Sequence, residues 1–451
     1  MEKEKQNQEN ILDKVGISFH RKLSFKLITI GILILFLLIP KMMILSLINE
    51  RSLNAQSAIS EVMSKWSDNQ IISGPVLTIP YKEMVYNEKD EEYKAFIHTA
   101  TFLPKVLYIE GEITPEKLYR SIYDVVVYQS ELEIKGMFEY PDFESLNILP
   151  ENIIWEKALV QLSISDLRGI NEEVKINWSG KNLTFLPGLQ NTTIGNSGIS
   201  VSVPKIGEDK KCEFDFTLGL KGSESILFSP VGEKTEVQIS SSWNDPGFTG
   251  NFLPNKRDIN DSGFTAEWNI LHFNRNFSQI WTDQKNTTGI PSTEIHSSDF
   301  GVELVSMANH YQKNTRSAKY AILIILITFI VFFMYEVFSK QRIHPFQYIM
   351  VGSALTLFYL LLLSITEHLG FNLAYLIASV AVLVLVVLYS RTFMPKIKSS
   401  AGIGLALAAC FGFIFILLQL ESFALLAGSI GIFLLLATLM YSTRKINWYK
   451  E

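Results

Sequence analysis

The stretch from Arg316 to Tyr375 reads RSAKYAILIILITFIVFFMYEVFSKQRIHPFQYIMVGSALTLFYLLLLSITEHLGFNLAY, and its reading decides the fold. A basic, aromatic rim leads into an apolar run that ends at Phe338. The short basic turn Ser339-Lys-Gln-Arg-Ile-His-Pro345 opens a second run to Ile365. Glu367-His-Leu-Gly-Phe371 then separates that run from a third, which opens at Asn372. Apolar runs of roughly 20 residues have the length a helix needs to cross the hydrocarbon of a bilayer. Tyr311, Arg316, Lys319 and Tyr320 are of the types that anchor helix ends among lipid headgroups.

Downstream the chain hardly leaves the membrane. Five runs follow one another: Ala321–Phe338, Phe346–Ile365, Leu373–Tyr389, Ile403–Leu418 and Phe423–Met440. Upstream lies one more, Leu23–Ile48, whose uncharged centre is Leu27–Ile39. Pro40 is expected to kink this helix and Lys41 to snorkel toward the interface. No small-residue cleavage site follows it, so it is read as an uncleaved anchor rather than a signal peptide. The expected fold class is therefore a membrane protein. It has a six-helix transmembrane bundle, one N-terminal plus five C-terminal spans, and a large mainly-β, sandwich-like periplasmic domain. The expected divisions are a cytoplasmic tail (1–22), the first helix (23–48), the β domain (49–320), the five-helix bundle (321–441) and a second cytoplasmic tail (442–451).

Loop charge sets the orientation. Lys14, Arg21, Lys22, Lys340, Arg342, Arg391, Lys396, Lys398, Arg444, Lys445 and Lys450 all fall on one side of such a bundle. The opposite short loops, Thr366–Asn372 and Gln419–Ser422, contain no Lys or Arg. Both termini are expected in the cytoplasm and the large domain outside, which in a bacterium means the periplasm and an inner-membrane protein.

Between the first helix and the bundle the pattern changes. Helical spacing continues from Asn49 to Met63, and Ser73-Gly74-Pro75 is expected to break it. Period-two alternation with Gly, Pro, Asn and Asp punctuation then predicts short strands. They lie at Val76–Tyr81, Glu92–Phe102, Lys105–Glu112, Tyr123–Tyr128, Glu131–Phe138, Ala158–Ile164, Val174–Trp178, Ile199–Val203, Phe214–Leu220, Ile226–Phe228, Glu236–Ser241 and Thr265–Phe273. Leu132–Gly136 resembles Leu218–Gly222, and Val160–Ser163 resembles Val237–Ser240, each followed by a Trp-bearing strand. These likenesses suggest an internal duplication. The first residues, with Glu2 and Glu4 between Lys3 and Lys5, are expected to be unstructured.

Composition excludes several classes. The formal charge of −5 and the absence of a basic face argue against nucleic acid. Cys212 and Cys410 fall in different compartments, so no disulfide joins them. No phosphate-binding loop, His-Glu-X-X-His or Gly-X-Ser-X-Gly string occurs, and the histidines lack metal-ligand spacing. Catalytic, cofactor and metal residues are accordingly read as none. Ionisable groups in or beside spans are the remaining candidates. They are Glu336, expected to pair with Lys340; Arg342 and His344 in the basic turn; and Glu367 with His368 at the other end. His344-Pro345 reads as a helix start, and Asp166 with Arg168 as an ion pair at a turn. Trp243, Phe248, Phe252 and Phe264 read as core packing or a surface for another component. Gly404, Ala408 and Gly412, and Ala424, Ala427, Gly428 and Gly431, are small residues at the spacing of close helix contacts. They predict an antiparallel hairpin of the last two helices.

Several strings resemble the CreD family of inner-membrane, cell-envelope-integrity proteins. They are Arg316-Ser-Ala-Lys-Tyr-Ala321, Arg342-Ile-His-Pro-Phe-Gln-Tyr348, Leu357-Phe-Tyr-Leu360, Glu367-His-Leu-Gly-Phe371, Ser165-Asp-Leu-Arg-Gly-Ile170 and Gly250-Asn-Phe-Leu-Pro254. Trp243-Asn-Asp-Pro-Gly-Phe248 and Asn309-His310 depart from the family pattern. The resemblance implies a role in envelope integrity and envelope-stress response, often under a sensor kinase and response regulator, with no catalytic residues and no cofactor. The expected partners are the lipid bilayer and envelope proteins, not nucleic acid. The alternatives are a transporter or flippase-like protein, with Glu336, Ser353, Thr356, Tyr359 and Ser364 along its path, or a membrane enzyme using Glu367 and His368.

Overall fold

The structure is a computed structural model. It describes residues 2–444 except 88–91, 122, 191–193, 207–210, 284–291, 305–307, 340, 395 and 421–422, and the backbone alone of 2–24, 292, 308–309, 424–425, 435, 439 and 442–443. The chain divides into two compact units: residues 1–55 with 307–451, and residues 56–306.

The first unit is helical. Its helices are α1 (Glu2–Trp66, which runs on into the second unit), α3 (Ala308–Lys319), α4 (Ala321–Ser339), α5 (Pro345–Leu369), α6 (Phe371–Ser390), α7 (Ile397–Gln419) and α8 (Ala424–Thr443); α2 (Ser292–His296) belongs to the second unit. Among the described residues, five helical stretches are long and apolar enough to cross a membrane: Phe25–Trp66, His310–Ser339, Pro345–Leu369, Phe371–Ser390 and Ile397–Gln419. Within α8 the described apolar stretch, Leu426–Thr438, is shorter.

Helix α1 reaches back to Glu2, through the tail expected to be unstructured. Residues Glu2–Val15 contain neither Gly nor Pro, and Glu, Lys and Gln are good helix formers. Buried side chains then join the helices. Leu37 of α1 lies against Gly352 of α5, and Phe329 and Phe332 of α4 stack edge-on against the fully buried Tyr348 of α5. The small-residue stripe of α7 behaves differently from the sequence reading. A Cβ at Gly404 would meet Val387 of α6, and Ala408 and Gly412 line one groove with Tyr375, Ser379 and Leu383 of α6, so the stripe faces α6. Helix α8 meets α7 through Gly431, which seats the Phe413 ring. Spacing marks which residues are small; it does not say which neighbour fills the groove.

Among the described residues, seventeen strands build the second unit. In chain order they are β1 (Gln70–Asn87), β2 (Glu92–Phe102), β3 (Val106–Arg120), β4 (Tyr123–Glu139), β5 (Leu159–Ile164), β6 (Lys175–Trp178), β7 (Lys181–Thr184), β8 (Leu186–Pro187), β9 (Gly198–Ser202), β10 (Lys211–Ser223), β11 (Ser225–Phe228), β12 (Lys234–Ser241), β13 (Pro246–Gly250), β14 (Lys256–Asn260), β15 (Gly263–Leu271), β16 (Ile280–Thr282) and β17 (Phe300–Leu304). One sheet runs β13-β17-β11-β1-β5-β9-β8, with β2 paired to β1 and β16 to β2; the other runs β14-β15-β12-β3-β4-β10-β6-β7. Alternation puts one face of each strand inward: Leu107, Ile109 and Ile113 of β3 and Cys212, Phe214, Phe216 and Leu218 of β10 are buried, with exposed residues between them. A single core, including Ile72, Val160, Leu132, Phe214, Trp178 and Trp268, draws on both sheets.

Three expectations change here. Ser73-Gly74-Pro75 does not end the helix. Helix α1 stops at Trp66, and the three residues lie within β1, where the register against β5 shifts between Ser73 and Val76. Tyr123–Tyr128 and Glu131–Phe138 form one strand, β4, because Gln129 and Ser130 continue its ladder with β3 and β10. The duplication is not present. Leu132 and Leu218 are direct partners across β4 and β10 of one sheet. The second likeness pairs β5 with β12, and these strands lie in different sheets beside different neighbours. The likeness of the segments reflects the common alternation of half-buried strands.

Candidate functional site

At the start of α5, His344 is the N-cap. Its ring Nδ1 accepts from the Phe346 amide (3.2 Å), and Gln347 Oε1 accepts from the His344 amide (2.9 Å). With Pro345 in the first turn, these bonds start a helix whose first amides would otherwise lack partners. This use occupies Nδ1 of the imidazole. Arg342 is exposed beside it.

Glu336, near the end of α4, is largely buried, with its side chain 16% exposed. Lys340 lies outside the described residues, so their expected pairing does too. Both carboxylate oxygens are engaged elsewhere. Lys26 of α1 donates to Oε1 (2.9 Å), and the Tyr348 hydroxyl donates to Oε2 at a long 3.5 Å. Lys26 Nζ also donates to the Ile343 carbonyl (2.5 Å) and lies 5.6 Å from the Tyr348 ring centroid. One ammonium thus ties α1 to α4 and to the α4–α5 turn. A buried carboxylate needs such a counter-charge. Lys26 is the residue the sequence reading missed. The available signal was a lone charge just ahead of the uncharged centre of the first run.

At the far end of α5, Glu367 is half-buried and accepts from the Tyr311 hydroxyl of α3 (3.3 Å), while His368 is exposed. Neighbouring residues on a helix point about 100° apart, so these two do not converge. Nearby, Gln419 Nε2 of α7 donates to Asn372 Oδ1 of α6 (2.8 Å). At about 1.5 Å per residue, His344 and Glu367 are separated by roughly 35 Å along α5. The five candidates therefore form two groups, one at each end of the helical unit. Of the positions on the supposed path, Thr356 and Tyr359 are buried and Ser364 is exposed.

In the sheet unit, Asp166 and Arg168 form a forked ion pair (Nη2–Oδ2 2.7 Å, Nε–Oδ1 2.9 Å). Asp166 also accepts from the Asp68 amide (2.9 Å) and the Ser67 hydroxyl (3.2 Å), and Arg168 Nη1 donates to the Ser64 carbonyl. The pair clasps the end of α1, where carbonyls are left without helical partners. Gly169 allows the close approach: a Cβ there would collide with the Lys221 carbonyl. The Arg168 guanidinium, helped by the Asp68 amide, holds the Asp166 carboxyl well below the usual carboxylate range. The aromatic group is core. Phe264 is buried, and Phe248 and Phe252 stack edge-on against Trp268 and Phe300. Lys117 lies 5.5 Å from the Trp243 ring centroid.

Among the described residues, no group of three or more His, Cys, Asp or Glu side chains is arranged to hold a metal ion. The arrangement is one of ties and caps at helix ends.

Comparison with known proteins agrees with the strings quoted above. The family model described as inner membrane protein CreD matches residues 22–449. The inner membrane protein CreD of Escherichia coli (strain K12) is 33% identical over 422 residues, covering 92% of this chain and 91% of that protein. Among solved structures, native yeast LTA4 hydrolase matches at 9% identity over 50% of this chain and 35% of its own, with a TM-score of 0.18. That likeness is too slight to bear on fold or chemistry. The chain belongs to the CreD family of inner membrane proteins, as a multi-pass member whose apolar helices accompany a large mainly-β unit.

Proposed function

We propose that the protein supports the integrity of the cell envelope without catalysing a reaction. In this reading six helices span the inner membrane and both termini are cytoplasmic. The β unit is periplasmic and contacts envelope proteins or lipid. The observation that carries it is the Lys26–Glu336 tie. It brings the basic N-terminal end of the first span to the basic α4–α5 turn, whereas the Asn372–Gln419 bond joins the two turns that lack Lys and Arg at the opposite end. Each end of the helical unit thus gathers loops of one charge class, which supports the topology expected from the positive-inside rule. The same tie uses the buried carboxylate as a fastening, which weakens the transport reading.

The test is a strain lacking this protein, scored for detergent sensitivity and leakage of a periplasmic enzyme, then complemented with variants. Glu367→Gln and His368→Ala should restore the envelope fully. Glu336→Gln should fail only in proportion to its loss of folded protein. A variant that accumulates and folds normally yet leaves the envelope defective would overturn the non-catalytic reading in favour of transport or enzymatic chemistry. Cross-linking from the β unit would identify the partner.

A further inference from the structure

Helix α3 carries a polar face that turns inward. His310, Asn314 and Ser317 recur at helical spacing; Asn314 is 1% exposed and Ser317 fully buried. Asn314 Nδ2 donates to the His310 carbonyl (3.1 Å), which fixes the amide and leaves Oδ1 as an acceptor facing the other way. Among the described residues, Asn314 Oδ1, Ser317 Oγ, His310 Nδ1 and the hydroxyl of Tyr359 on α5 are all buried with no hydrogen-bond partner. Tyr311 against Glu367 sets the antiparallel alignment of α3 and α5. Counting from that contact, Ser317 and Tyr359 come within roughly 3 Å of the same depth at about 1.5 Å per residue. Four unpartnered polar atoms in one apolar unit are strongly unfavourable, because the hydrocarbon supplies no alternative partner.

We propose that this face is a binding site for water, a hydrated inlet that enters the helical unit beside Glu367. The atoms choose the ligand. Asn314 Oδ1 requires a donor and the two hydroxyls take either role. Water offers two donors and two acceptors in the smallest volume. The half-buried Glu367 carboxylate marks the wet end, and the apolar Ala321, one turn beyond Ser317 on the same face, marks the dry end.

The experiment uses the full-length chain in native membranes, with Cys212 and Cys410 replaced by Ala and single cysteines introduced at Ser317, Ala321 or Lys319. A small charged methanethiosulfonate reacts with a thiolate, which needs water around it. Lys319→Cys is exposed and should react, and Ala321→Cys should not. Ser317→Cys, nearly isosteric with the native side chain, should lose its free thiol as Lys319→Cys does. If a normally melting Ser317→Cys protein stays as inert as Ala321→Cys, the face is dry and the proposal is wrong. Asn314→Cys, one turn nearer the inlet, serves as a second probe if Ser317→Cys fails to fold, with the same two outcomes.

Discussion

In the helical unit, Glu336 finds its counter-ion 310 residues away in sequence, on another helix. In the sheet unit, Asp166 finds its own two residues away, in the same turn. The two pairs hold different things. Lys26–Glu336 is one of few polar fastenings in a unit whose helices otherwise meet through apolar and small side chains. Asp166–Arg168 closes the end of α1 onto a body already held by a large apolar core shared between two sheets. Lipid offers no reward for burying more apolar surface between helices, so a single charge pair weighs heavily there. Water does offer that reward, and the sheet unit leans on it.

The largest effect should break the sheet side of this contrast. Trp268→Ala removes a buried indole packed on Phe248 and Phe300, and should cost about 3–5 kcal/mol, read as a fall in the thermal midpoint of the full chain. A loss well below this would mean that the shared core is not what holds the unit. Next, Glu336→Leu strands Lys26 and should cost about 3 kcal/mol in the helical unit, while Lys26→Met added to it should recover most of the loss. No recovery in the double variant would show that the tie is not pairwise.

Asp166→Asn should cost about 1–3 kcal/mol, because it leaves Arg168 and the Asp68 amide with a weaker acceptor. Its wild-type stabilisation is present above the ordinary carboxylate value of 3.8 and fades as the pH falls toward the depressed folded value. The Asn variant should therefore lose that part of the acid dependence. The smallest effect has the opposite sign. Asp299 raises the pKa of His296, whose Nδ1 lies 3.0 Å from Asp299 Oδ2. The resulting stabilisation is complete below the ordinary value of 6.5 and is lost as the pH rises through the raised folded value. Partial exposure keeps it modest. His296→Gln should flatten the midpoint between pH 6 and 8, and an unchanged slope would remove His296 from the account.

Legibility followed the same divide. Strand β12 (Lys234–Ser241) was readable to within two residues, as Glu236–Ser241, because its alternation is local. Strand β14 was not, since all five of its residues are exposed and no apolar period marks them. Strand β17 was missed because Phe300–Leu304 is too short to show a period, and its place is set by pairing with β11 and β13. At the candidate sites, the helix start at His344-Pro345 and the Asp166–Arg168 pair were legible because both are built within a few residues. The partners of Glu336 and Glu367 lie on other helices, and nothing in the pattern around either carboxylate points to them.

The sequence by itself determined which segments are apolar enough for a membrane, which alternate as half-buried strands, and which loops carry basic charge. Each of these is a property of neighbouring residues. Only the tertiary structure decided that β1 runs parallel to β11 and β3 to β12, that the α7 stripe faces α6, and that Lys26 answers Glu336. Those choices depend on which distant surfaces fill one another's grooves and satisfy one another's charges, and no local period encodes them.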